Sequence, residues 1–177
     1  GWCMRAADAA AAQQHEPAAT GRRPSRRAMA LEAEAPAGVD GCLRVTDQGE
    51  VAFEVFRPGG TERLGIGPDV ACTRNPALIY GRLTGWGQDG PLAQAAGHDI
   101  NYISLSGALG TIGRRGQTPV PPLNLLGDYG GGGMLLAYGV LAALLSAART
   151  RAGQVVVSSL VDGAALELGI GQPEHDR

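Results

Sequence analysis

The sequence contains no lysine: all 15 of its basic residues are arginine, and 17 acidic residues leave a formal charge of −2. So weak a balance excludes the strongly basic face that nucleic-acid binding calls for. The three cysteines, Cys3, Cys42 and Cys72, are odd in number and far apart. They fit neither a disulfide framework nor a zinc site, so no metal site is expected and a reducing, cytoplasmic setting is the simple reading. No apolar run reaches the 18 residues that suggest a membrane span, and the longest, from Met134 to Ala148, reads as a buried helix. The N-terminus lacks the continuous apolar segment of a secretory signal. What is abundant is glycine, 28 of 177 residues, about twice the usual share. The length fits one domain with a real core.

Residues 1–50 are rich in Ala, Arg, Pro and Gln, show little apolar periodicity and are expected to be poorly structured. Their basic cluster GRRPSRR, Gly21 to Arg27, reads as a solvated run. From there to about residue 170 the pattern changes. EVAFEVF is a β-favouring alternation that stops at the turn signal RPGG, and ALIYGRLTGWG is a buried strand feeding a Gly-rich loop. INYISLSG fits a strand or a helix equally. GQTPVPPLNLLGD is not helical, given its three prolines. GDYGGGGMLLAYGVLAALLSAARTRAG reads as a loop, a helix and a stop, with Gly153 in the terminating region. QVVVSSLVDGAALELG reads as a buried strand turning into a helix, and residues 171–177 as a tail. Strands alternating with helices argue an α/β fold.

Two residues stand out chemically. Asp128 precedes four glycines and a long helix, where the helix dipole and free N–H groups favour a carboxylate. It reads as an N-cap, yet one glycine suffices for a cap, and four let the backbone approach a ligand or another chain closely. GDYGGGG lacks the Lys-Ser/Thr pair of a phosphate loop. His98 taken alone is an ordinary structural histidine. Its neighbour Asp99 is no partner across a strand, because adjacent side chains there point to opposite faces. Any chemical partner of His98 therefore comes from elsewhere.

Four blocks in order, FRPGGTERLGIGP, GRLTGWGQDGPLAQAAGHDINYISLSGALG, PVPPLNLLGDYGGGGM and GQVVVSSLVDGAALELG, resemble the family III CoA-transferase superfamily (CaiB/BaiF type). The similarity covers roughly residues 51–168 and is strongest to its α-methylacyl-CoA racemase branch. The resemblance implies part of that family's α/β fold: a Rossmann-like fragment of the large domain plus the long Gly-preceded helix. It implies inversion of the α-carbon of a 2-methylacyl-CoA thioester by 1,1-proton transfer through an enolate, with His98 and Asp128 as the acid/base pair. It places Val55, Phe56, Arg57 and Arg63 near the CoA nucleotide, and Gly97, Asp99, Ile100, Asn101 and Tyr102 along the thioester end. Arg suits this role, because its planar fork binds phosphate bidentately; the ordinary reading of Arg63 is an ion pair with Glu62 or Asp69.

The resemblance further implies a homodimer, an acyl-CoA substrate and no cofactor beyond the CoA that the substrate carries. The transferases share the surroundings of Asp128 but use that residue as nucleophile, forming an acyl anhydride, and they lack GHDINY; its presence favours the racemase branch. Two alternatives stay open: such a transferase, or an inactive truncated remnant, since the family's N-terminal segment and second domain have no visible counterpart here. The family also places Asp where this chain has Val157.

Overall fold

The computed structural model describes residues 34–171; the basic cluster at Gly21–Arg27, Cys3 and residues 172–177 lie outside them. Three strands, β1 (Val51–Glu54), β2 (Ile79–Thr84) and β3 (Gln154–Ser159), form a parallel sheet in the order β1-β2-β3. Val51 pairs with Ile79, and Ile79 with Gln154. Parallel pairing needs crossovers. The first contains α2 (Gly60–Arg63) and α3 (Pro68–Arg74); the second contains α4 (Asp99–Leu105), α5 (Ala108–Thr111), a π-helix (Leu125–Met134) and α6 (Leu135–Thr150). Helix α7 (Leu160–Gly171) follows β3 directly. The architecture is α/β with a small parallel sheet.

The central strand β2 is covered on both faces, which accounts for its near-continuous apolar sequence. Leu78 and Tyr80 pack with Ala71 of α3 on one side, and Leu136 of α6 approaches Gly81 on the other. A second cluster joins Ile103, Ala108 and Ala164 of α4, α5 and α7, with Leu126 and Leu168 against it.

Several expectations are corrected. Within the first 50 residues, Pro36–Gln48 form a helix, α1, with Pro at its start, where the missing N–H costs nothing. Leu43 buries it, Arg74 pairs with Asp47, and the Asn75 amide donates to the Thr46 and Gly49 carbonyls at 2.9 Å each. INYISLSG resolves as the helix α4. GDYGGGG is not a loop but the middle of the π-helix, so Asp128 lies inside a helix that begins at Leu125 rather than capping one. The prolines end at Pro122, just before that start.

Helix α6 is not buried: only Leu136 and Ala143 are, while Tyr138, Leu141 and Leu145 are each at least 60% exposed. Together with the π-helix it forms a 26-residue apolar stretch of membrane-spanning length and composition. Those properties alone do not make a span, and its first turns carry Asp128 and pack on α4 and α7. Strand β3 is an edge rather than a buried strand, with Val155 and Val157 about half exposed. The stop of α6 is Arg151, which adopts the left-handed conformation. Gly153 instead lets the chain pass the backbone of Ala77 and Leu78, where a Cβ would clash.

Candidate active site

The carboxyl ends of parallel strands are where open α/β sheets bind ligands. All three strands here run into one cleft of about 440 Å³. The end of β1 continues into Val55, Phe56, Arg57 and Pro58; that of β2 into Gly85 and Trp86; that of β3 into Leu160. His98 and Asp128, 30 residues apart in sequence, line the same cleft.

His98 is the exposed N-cap residue of α4, in extended conformation, and its backbone N–H donates to Asn101 Oδ1 at 2.9 Å. That contact closes the first turn and points the chain into the cleft. Asp128 is half-buried in the π-helix. Its N–H donates to Asp99 Oδ2 at 2.7 Å, and its own Oδ2 is 3.4 Å from Asn124 Nδ2. The Asp99 carboxylate, no partner for His98, thus anchors the backbone of Asp128. Between the two elements stands Tyr102, edge-on to Trp86 with ring centroids 4.7 Å apart. Burial, and then the charge of Asp128, push the Tyr102 hydroxyl above its ordinary pKa.

The segment 55–58 is held from beneath. Glu54 Oε2 accepts the Phe56 N–H at 2.6 Å, and Glu54 Oε1 accepts Arg82 Nε at 2.8 Å. The Arg82 guanidinium also pairs with Glu62 Oε1 at 2.8 Å, and Gln94 Nε2 donates to the Pro58 carbonyl at 2.9 Å. Burial pushes the Glu62 carboxyl up, but its own backbone N–H and Arg82 outweigh this and hold it below its ordinary value. Burial likewise works against the Arg82 charge, and the two carboxylates overcome it.

Of the residues expected along CoA, Val55, Phe56, Arg57, Gly97 and Tyr102 line the cleft; Arg63, Asp99, Ile100 and Asn101 do not. Helical geometry is the reason for the last three. In a helix, successive side chains fan out, so Asp99 turns to the π-helix, Ile100 is exposed and Asn101 caps. Arg63 is exposed on α2 with its guanidinium near Gly59. It pairs with neither Glu62, which Arg82 engages, nor Asp69. Sequence reading passed over Glu54, Arg82, Trp86 and Gln94. The signal for the first two was a charge inside each of two apolar strands, since a fully buried charge requires a partner.

The model of the family described as CoA-transferase family III matches residues 3–170. The chain belongs to CoA-transferase family III. The matched residues extend toward the N-terminus beyond the blocks that carry the motifs. Over 140 residues the chain is 46% identical to the alpha-methylacyl-CoA racemase of Mus musculus, covering 79% of this chain and 37% of that protein. It is 35% identical to a CaiB/baiF CoA-transferase family protein of Caenorhabditis elegans, covering 72% and 38%. The solved structure of a CAIB/BAIF family protein from Brucella suis superposes with a TM-score of 0.75 at 26% identity, covering 81% and 38%. The chain therefore spans between a third and two fifths of the length of these family III relatives.

Proposed function

We propose that the protein is an acyl-CoA racemase of this family, inverting the α-carbon of a 2-methylacyl-CoA by proton transfer between His98 and Asp128. The observation that carries the reading is that these two residues reach one cleft from different elements. Racemisation needs a base on one side of the α-carbon and an acid on the other. Neutral His98 removes the α-proton while protonated Asp128 delivers one, and the reverse reaction starts from imidazolium and carboxylate. A positioned acid–base pair supplies about 10²–10⁴-fold, and the thioester oxygen takes the electron pair as the enolate forms. Val55–Pro58, braced by Glu54, Arg82 and Gln94, offers the CoA a wall of fixed shape, with Arg57 as the cation for its phosphates. The reaction then needs no cofactor beyond the CoA of its substrate.

Incubation of the purified protein with a 2-methylacyl-CoA in deuterium oxide tests the proposal. Deuterium enters the α-position with the wild type, and either His98→Ala or Asp128→Asn slows washout by at least about 10²-fold. Absence of exchange by the wild type refutes it. A second reading, CoA transfer with Asp128 as nucleophile, draws on the exposure of that carboxylate to the cleft and on the family's transferases. It predicts an acyl-enzyme trapped by hydroxylamine and indifference to His98→Ala.

A further inference from the structure

Proton transfer between His98 and Asp128 leaves the thioester oxygen without a partner, although that atom takes the charge when the α-proton departs. An oxyanion is best stabilised by a donor fixed in place before the charge develops. Apart from His98, the cleft-lining side chains that carry a donor are Arg57, Thr84, Trp86 and Tyr102. Thr84 Oγ1 and Trp86 Nε1 are sealed beneath their neighbours, out of a ligand's reach. Arg57 is exposed, and its long side chain with many rotamers suits a phosphate better than one fixed point. Tyr102 meets the requirement. It is only 7% exposed. Its hydroxyl has no hydrogen-bond partner among the described residues, yet it is not sealed off as those of Thr84 and Trp86 are. It opens onto the cleft that the residue lines. The ring is held on three sides: Trp86 stands edge-on to it, and two glycines make room for it. A Cβ on Gly97 would lie 2.7 Å from Tyr102 Cε1 and 2.9 Å from its oxygen, and one on Gly85 would lie 2.5 Å from Cε1 and Cζ. Tyr102 also follows His98, the N-cap of α4, by four residues, a spacing that puts both on one face of the helix.

We infer that the Tyr102 hydroxyl donates a hydrogen bond to the thioester oxygen of the substrate and stabilises the enolate. Tyr102 is then a third catalytic residue, and this role rests on the racemase reading above. When His98 takes the α-proton, the electron pair of the broken C–H bond becomes the C=C bond of the enolate. The carbonyl π pair moves onto the oxygen, where the Tyr102 hydroxyl meets it and keeps its own proton. Asp128 then protonates the carbon, the C=O bond re-forms, and the hydrogen bond weakens again. Burial, and then the charge of Asp128, hold the hydroxyl above its ordinary pKa, so at neutral pH it remains a donor. Fixed by Trp86 and the two glycines, it needs no reorganisation as the charge appears.

Infrared difference spectroscopy with 2-methylpropanoyl-CoA, isotope-labelled at the thioester carbonyl carbon, reads the contact itself. The two α-methyl groups of this ligand are equivalent, so turnover leaves it unchanged. Tyr102→Phe removes the hydroxyl and keeps the ring, and it should melt as the wild type does, because the hydroxyl has no protein partner. The bound C=O stretch is expected at a lower frequency on the wild type than on Tyr102→Phe; the same frequency on both overturns the inference. Replacement of Tyr102 by a fluorotyrosine, a stronger donor of nearly the same shape, should lower the stretch further; an unmoved band overturns the inference as well. Where α-proton exchange is measurable, Tyr102→Phe lowers kcat about 10²–10³-fold with little change in KM, and a wild-type kcat in that variant overturns the catalytic role. A wild type that exchanges no α-proton defeats the racemase reading, while the infrared comparison still decides whether the hydroxyl meets the thioester.

Discussion

Gly163→Ala tests the crossing on which the site is built. The π-helix and α7 meet backbone to backbone at Gly131 and Gly163. A Cβ on Gly163 would overlap the carbonyl of Gly131 and stand 2.5 Å from its Cα, and one on Gly131 would stand 2.6 Å from the Ala164 nitrogen. These obstacles are main chain and have no rotamer to escape into. In an unobstructed helix, Gly→Ala gains up to about 1 kcal/mol. Overpacking costs about 1–3 kcal/mol, and a clash with backbone belongs at the upper end. The expected net effect is a loss of about 2 kcal/mol, or about 4–8 °C in Tm for a domain of this size.

Gly169, in the same helix, has nothing within 4 Å of its Cβ position. Gly169→Ala is therefore the control, expected to be neutral or stabilising. Urea denaturation of the three proteins compares their midpoints at equal slope. A Gly163→Ala variant as stable as Gly169→Ala would mean that the two helices do not cross this closely. Because the displaced helix carries Asp128, the same variant is expected to lose α-proton exchange more steeply than stability.

Three further outcomes follow from the geometry. Arg82→Leu leaves the Glu54 side chain, 2% exposed, without its partner and is expected to cost about 3–5 kcal/mol; Glu54→Gln added to it recovers part of that in urea denaturation, which distinguishes a stranded charge from lost packing. The raised carboxyl of Glu167 makes the folded protein hold a proton that the unfolded chain releases at its ordinary value of 4.5. Its contribution to stability is therefore full below that pH and is lost as pH rises through the folded value. Glu167→Gln, which does not titrate, should flatten the stability curve there, seen as a smaller drop in Tm between pH 4 and pH 8. Tyr80, buried with its hydroxyl donating to the Ile66 carbonyl at 3.0 Å, is pushed up to about 12, chiefly by burial. Its phenolate should appear in ultraviolet titration only near that pH or on unfolding, and Tyr80→Phe should cost about 1 kcal/mol.

Much of this molecule was legible in local pattern. The alternation in EVAFEVF and the apolar run of ALIYGRLT specify strands β1 and β2, because a strand's environment repeats with period two or is apolar throughout when both faces are covered. The motifs around His98 and Asp128 pointed to one family, and residues 3–170 match it. Local pattern was silent where a second segment decides the outcome. Four glycines signalled that something approaches the backbone closely, but only the folded chain names it: α7, at Gly163.

Whether an apolar segment is buried also depends on its neighbours, and for that reason α6 and β3 read as interior and stand largely exposed among the described residues. Local pattern was enough to place the three strands and to single out His98 and Asp128 by their motifs. Folding is what brings those two residues to one cleft, turns Asp99 away from it to hold the Asp128 amide, and lays Glu167 of α7 against Gly130 of the π-helix. Side-chain direction is set by helix phase and by packing partners distant in sequence, neither of which a residue's own neighbours encode.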